Sequence, residues 1–128
     1  MSAQFRIDVE PERDLVRIWM SGFFTHEDIA AFLAARAQAH GELRCAPNQH
    51  VTLTDLRGMK IQSREMVDAF QQMLADPAYR SRRLAFVAES TLARSQLGRA
   101  LGSRVARVFE TMAEAESWLA AAPASRAA

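Results

Sequence analysis

The sequence predicts one α/β domain with a mixed sheet, ordered β-β-α-β-α-β-α-β-α. Three observations predict it. Two stretches near the start alternate apolar and polar residues around a short turn. Later short apolar segments lack helical spacing. Between those segments lie stretches with apolar residues at helical spacing, each opening on a capping residue. Strands alternating with helices imply parallel βα units with right-handed crossovers, here preceded by an antiparallel hairpin.

Phe5–Val9 has period two, the mark of a strand with one buried face. Pro11–Asp14 reads as a turn, because proline pre-sets its dihedral and aspartate accepts local hydrogen bonds. Leu15–Met20 returns as the second strand and ends at Ser21-Gly22. Thr25 caps the first helix, with Glu27 and Asp28 at the positive end of its dipole. Ile29, Phe32 and Leu33 should face the core, and Gly41 should supply the C-terminal cap. His50–Asp55 is the third strand, followed by a loop over Leu56–Lys60. Ser63 caps a helix with Met66, Val67, Phe70, Met73 and Leu74 on one face, and Asp76-Pro77 breaks it. Leu84–Ala88 is a continuous apolar run suited to a central strand. Thr91 should cap a third helix with Ala93, Leu97, Ala100 and Leu101 inward. Val105–Phe109 is the last strand. Thr111 and Glu114 have the spacing of a capping box, and Ala115, Trp118, Leu119 and Ala122 share one face of the final helix.

The 128 residues suit a single domain over 1–128, with a partly frayed tail over 119–128, chiefly after Pro123. With 16 Lys+Arg against 15 Asp+Glu, the net charge is +1, which argues against a dedicated nucleic-acid binder. Lys60 is the lone lysine, a sign of compositional bias in the coding genome. The single Cys45 excludes an intramolecular disulfide and a Cys-rich zinc site. His26, His40 and His50 form no close-spaced metal motif, so neither metal nor cofactor is expected. No apolar run approaches the roughly 18 residues of a membrane span, and the first residues lack a signal-peptide core. A cytoplasmic protein without integral membrane association is therefore expected.

Several stretches together resemble the STAS and SpoIIAA-like group of anti-sigma-factor antagonists. Val51-Thr-Leu-Thr-Asp-Leu-Arg-Gly58 is similar to that group's strand followed by Asp-x-Arg/Ser-Gly. Arg83-Leu-Ala-Phe-Val-Ala88 is similar to its basic-x-Ala-apolar-Val strand. Val105-Ala-Arg-Val-Phe109, with Ala115 and Trp118-Leu119, resembles its ending. The resemblance covers most of the chain and rests on the order and spacing of these motifs. It implies a SpoIIAA/STAS-like fold and a bacterial, non-catalytic regulatory or protein-interaction module. The group shares a broad superfamily with CRAL-TRIO lipid-binding domains. Its phosphoregulated members carry Asp-Ser-(Ser)-Gly where this chain has Gln62-Ser63-Arg64, which argues against phosphorylation here.

Asp55, Arg57, Gly58, Met59, Lys60 and Ser63 form the candidate partner- or ligand-binding site. They fall at the C-terminal end of a parallel strand, where open α/β sheets bind ligands. Arg57 and Lys60 suit a carboxylate or phosphate. The plainer alternative pairs Asp55 with Arg57, makes Gly58 a backbone bend and Ser63 an ordinary cap. The partner would be another protein or a second copy of the chain. A second reading is a carrier of a hydrophobic small molecule. There Met59, Met66 and Phe70 line the apolar part and Arg57 or Lys60 meets the head group. That reading requires a cavity of roughly 300 Å3 or more. Phe23 and Phe24 are adjacent, so both rings are hard to bury together, and one is free for a pocket or a dimer contact. The basic residues Arg80, Arg82, Arg83, Arg94, Arg99 and Arg104 would meet an acidic protein or an anionic lipid head only if they share one surface, and the plainer reading is a solvated face. No nucleophile-base pair emerges from spacing, so no enzyme activity is expected.

Overall fold

The computed structural model describes residues 2–91, 94, 95, 97, 98 and 106–121. The strands are β1 (Gln4–Glu10), β2 (Leu15–Gly22), β3 (Val51–Met59), β4 (Arg83–Val87) and β5 (Ala106–Phe109). The helices are α1 (His26–His40), α2 (Arg64–Ala75) and α3 (Met112–Ala120). The five strands form one sheet in sequence order. β1 is antiparallel to β2, and β2 through β5 run parallel. The predicted mixed five-stranded α/β sheet with its N-terminal hairpin is the observed one, and most of the predicted third helix lies outside the described residues.

Local chemistry sets the element ends. A 3-10 turn over Pro11–Arg13 closes the hairpin, and Asp14 follows it at φ 52°. The Thr25 hydroxyl accepts the Asp28 amide, while the Asp28 carboxylate accepts the Thr25 amide, completing a capping box. Ser63 caps α2 by accepting the Met66 amide at 3.2 Å. Asp76 ends α2 and then caps the 3-10 turn Pro77–Tyr79. Thr111 accepts the Glu114 amide at the start of α3.

Four local expectations change. Gly41 lies in the right-handed helical region, so its conformational freedom is not what ends α1. The left-handed turn comes later, at Asn48 (φ 66°), whose amide nitrogen donates to the carbonyls of Pro77 and Arg80. Leu33 is exposed, and the buried stripe of α1 is Ile29, Phe32, Arg36 and Ala39. Thr91 is already helical, and Ser90 before it accepts the Arg94 amide. Leu119 and Ala120 belong to α3, with Leu119 in the core rather than in a frayed tail. The expectations for Ala93, Ala100, Leu101, Val105, Ala122 and the stretch after Pro123 lie outside the described residues.

The strand alternation divides the core into two faces. On one, Leu15, Val51, Leu53, Ala85 and Val87 pack against Ala115 and Leu119 of α3. On the other, Val16, Ile18 and Met20 pack against Ile29 and Phe32 of α1 and Met66 of α2. Leu84 and Phe86 continue that second face towards Leu74, Ala106 and Val108.

Candidate functional site

The segment Leu56–Met59 is strand, not loop. β3 runs on past Asp55 because the sheet absorbs one extra residue. Trp19 lies opposite Asp55, but Ser21 lies opposite Gly58, so the register slips by one between them. The result is a β-bulge around Leu56 and Arg57. Gly58 is required by the close approach, since a Cβ there would sit 2.9 Å from that of Ser21. At the paired end of β2, Gly22 has φ 84°, and a Cβ would lie 2.3 Å from the Ser2 carbonyl oxygen.

Within this segment Asp55 and Arg57 engage each other. Arg57 Nε donates to Asp55 Oδ1 at 2.9 Å, and Nη2 donates to Oδ2 at 2.7 Å. The Arg57 amide adds a third bond at 3.0 Å. These hydrogen bonds hold the Asp55 carboxyl below its ordinary pKa and raise that of Arg57. Ser63 spends its hydroxyl on the α2 cap. The plainer alternative for these three side chains is therefore the geometry observed. Met59 and Lys60 do something different, because both line a cavity.

That cavity has a volume of about 320 Å3 and lies between the second face of the sheet and α2. Its floor runs along β3 from Thr52 through Thr54 to Leu56, about 13 Å at strand rise, and along β4 through Leu84 and Phe86 to Ala88 just beyond it. Phe70, Met73 and Leu74 of α2 form the roof, and Phe32 of α1 closes one side. Although these α2 side chains face inward, they are only half-buried, and Met66 alone on this helix is fully buried. Met66 packs in the core cluster beside the cavity rather than lining it. Lys60, Ile61 and Ser90, at the carboxyl ends of the strands, line the cavity and are exposed, so the mouth lies there.

The roof helix is held at its two ends. Gln62, just before α2, donates through Nε2 to the carbonyls of Gly22 and Lys60 and accepts the Phe24 amide through Oε1. His26 of α1 also pairs with Glu65 of α2. At the far end, Arg36 Nη1 donates to the Met73 carbonyl at 3.3 Å. The Phe23-Phe24 pair divides: Phe24 is buried edge-on to Phe70, and Phe23 is 49% exposed.

The base of the cavity is polar. Thr52 and Ser81 share a hydrogen bond of 2.6 Å, and Ser81 contacts His50 Nε2 at 3.2 Å. His50 meets His40 edge-on, and His40 meets Tyr79 the same way. The Arg36 guanidinium lies 4.0 Å above the Tyr79 ring. Burial, then the charge influence of His50 and Arg36, lowers His40 to about 4. Burial lowers His50 as well. Both imidazoles are therefore neutral at pH 7, and Arg36 is the cation of this end.

Sequence reasoning missed Arg36 and Gln62. A signal for Arg36 existed, because Ile29, Phe32, Arg36 and Ala39 follow the 3-4-3 spacing of a buried stripe. Gln62 carried no such signal. Among the described residues, three of these basic side chains are engaged within the chain. Arg83 stacks on Trp118 under α3, Arg82 donates to the Gln49 carbonyl, and Arg94 binds the carbonyls of Ala88 and Glu89. Arg99 and Arg104 lie outside the described residues. Burial and nearby Asp14 raise the Cys45 thiol pKa, which disfavours a reactive thiolate. Among the described residues no three His, Cys, Asp or Glu side chains group to hold a metal ion, and no helix is long and apolar enough to cross a membrane.

No family model and no curated protein matches the sequence. Among solved structures, the chain is similar to an uncharacterised protein of the DUF3478 family with a SpoIIAA-like fold, from Shewanella loihica. The two share 17% identity at a TM-score of 0.71, over 93% of this chain and 96% of that one. The fold is thus SpoIIAA-like, as the motif order in the sequence implies.

Proposed function

We propose that the protein is a non-catalytic binding module that takes a small, elongated and largely apolar molecule under α2. The observation that carries this reading is the cavity of about 320 Å3, inside the range of small-molecule sites. Its walls are apolar along most of their length, and the methionine and phenylalanine side chains of the roof adapt to a guest by changing rotamer. Recognition of a protein partner through Asp55, Arg57 and Ser63 has weaker support, since those side chains are occupied within the chain.

The test is titration with 1-aminoanthracene, a dye that fluoresces in apolar sites, followed by displacement with octan-1-ol. Saturable dye binding, reversed by the alcohol, is the expected result. Thr54→Phe places a ring on the cavity floor and should abolish it, with circular dichroism confirming the fold. Dye binding unchanged in a folded Thr54→Phe variant would rule out this cavity as the site.

A further inference from the structure

Arg36, which lines the cavity, and Arg57, which does not, differ in one further respect. A guanidinium presents Nε and Nη2 side by side, a fork that matches the two oxygens of a carboxylate. In Arg57 that fork is filled by Asp55, at 2.9 and 2.7 Å. In Arg36 it is not. Arg36 lines the cavity with its side chain 9% exposed, and its Nε is buried without a hydrogen-bond partner among the described residues. Nη2 lies 3.9 Å from Asp76 Oδ2, beyond hydrogen-bond distance. Asp76 is half-exposed, and its other oxygen caps the 3-10 turn by accepting the Ala78 amide at 3.0 Å. Nη1 alone makes a hydrogen bond, to the Met73 carbonyl. Asp76 at ion-pair distance and the Tyr79 ring at 4.0 Å offset part of the buried charge, but the two donors of the fork make no hydrogen bond, and a buried donor left unpaired is costly.

We infer that Arg36 is the anion-recognition residue of the cavity, and that the ligand is a medium-chain amphiphile with a carboxylate head seated at the base, beneath α1 and α2. The inference rests on the cavity reading and adds the head-group chemistry and the ligand's orientation. The chain then lies along Thr54, Leu56 and Phe70, with its tail towards Met59 and Ile61 at the mouth. This reverses the orientation in which Arg57 or Lys60 meets the head group. A singly charged, planar head fits better than a phosphate monoester, because Asp76 stands close by and would repel a second negative charge. A volume of about 320 Å3 holds about ten non-hydrogen atoms at ~30 Å3 each, the size of octanoate.

Octanoate, octan-1-ol and octylamine compete against 1-aminoanthracene at pH 7.5, in wild type and in Arg36→Met, Arg36→Lys and Lys60→Met variants. In wild type octanoate should bind roughly tenfold or more tighter than octan-1-ol, and octylamine weakest, as expected for a charge-assisted fork. Arg36→Met should erase the preference while octan-1-ol still binds, which also shows that the variant is folded. Arg36→Lys keeps the charge without the fork and should retain only part of the preference. Equal binding of octanoate and octan-1-ol in wild type would overturn the role of Arg36 and leave the cavity reading standing. So would a preference that survives Arg36→Met, and above all one lost in Lys60→Met. If no compound binds, the cavity reading itself fails and this inference with it.

Discussion

Both faces of the sheet are covered by helices, yet one is solid and the other hollow. Under α3, Ala85 and Ala115 are wholly buried, and their small side chains let the helix backbone sit close to the strands. Leu15, Val51, Leu53, Val87 and Leu119 fill the space around them. Under α2 the central strand presents Thr52 and Thr54, while the helix presents the long side chains of Phe70 and Met73. Long side chains at the contact hold a helix axis further from its neighbour. Gln62 at one end and Arg36 at the other keep α2 in place without closing the gap. The difference teaches that covering a sheet and filling the space above it are separate achievements.

The largest expected effect comes from truncating one residue on each face. Leu53→Ala on the solid face should cost about 3 kcal/mol, since Leu53 is 1% exposed and packs within the core cluster under α3. Met73→Ala on the hollow face should cost about 1 kcal/mol, because the side chain is half-buried and already borders a cavity. Urea unfolding of both variants measures the two values. Equal losses would break the comparison.

Acid should separate the faces by pH window. His40 sits at the base of the hollow face with its pKa depressed to about 4, against about 6.5 in an unfolded chain. Between those values the unfolded state binds a proton that the folded state refuses, so stability falls as pH drops from about 6.5 to 4. Discounted for partial exposure, His40 should account for about 2 kcal/mol, and His50 acts in the same direction. The Asp55 carboxylate, held low by Arg57, contributes stability that is lost only below the ordinary carboxylate range. Urea midpoints between pH 7 and pH 4 should therefore fall in wild type and fall less in His40→Phe. An identical pH dependence in the two proteins would remove His40 from the account.

The smallest effect concerns the end of the roof helix. Ser63→Ala removes the α2 cap and should cost about 1 kcal/mol, while Ser63→Asp, itself a good cap, should stay within about 0.5 kcal/mol of wild type. Thermal unfolding reads both. If Ser63→Asp instead destabilises as much as Ser63→Ala, the hydroxyl does more at this position than cap a helix.

Much of the fold was legible along the chain. The period-two hairpin, the Thr25, Ser63 and Thr111 caps, and the apolar run of β4 each report local energetics, which depend on neighbours in sequence. Part of the site was legible too: Met59 and Phe70 were identified from residue type as apolar lining, and both line the cavity. The departures have two causes. Leu56–Met59 is strand because it pairs with β2 across a bulge, which depends on a segment remote in sequence. Leu33 is exposed because it lies off the stripe of Ile29, Phe32, Arg36 and Ala39, a local spacing that hydrophobicity alone does not reveal.

The sequence by itself determined the order of the five strands, the Thr25, Ser63 and Thr111 caps and the sides of each strand that turn inward, because periodicity and capping act over a few residues. The tertiary structure alone decided two things. It left the fork of Arg36 empty, and it set α2 far enough from β3 and β4 to leave a cavity. Each of these depends on distances between segments remote in the chain, and no spacing within one segment encodes such a distance.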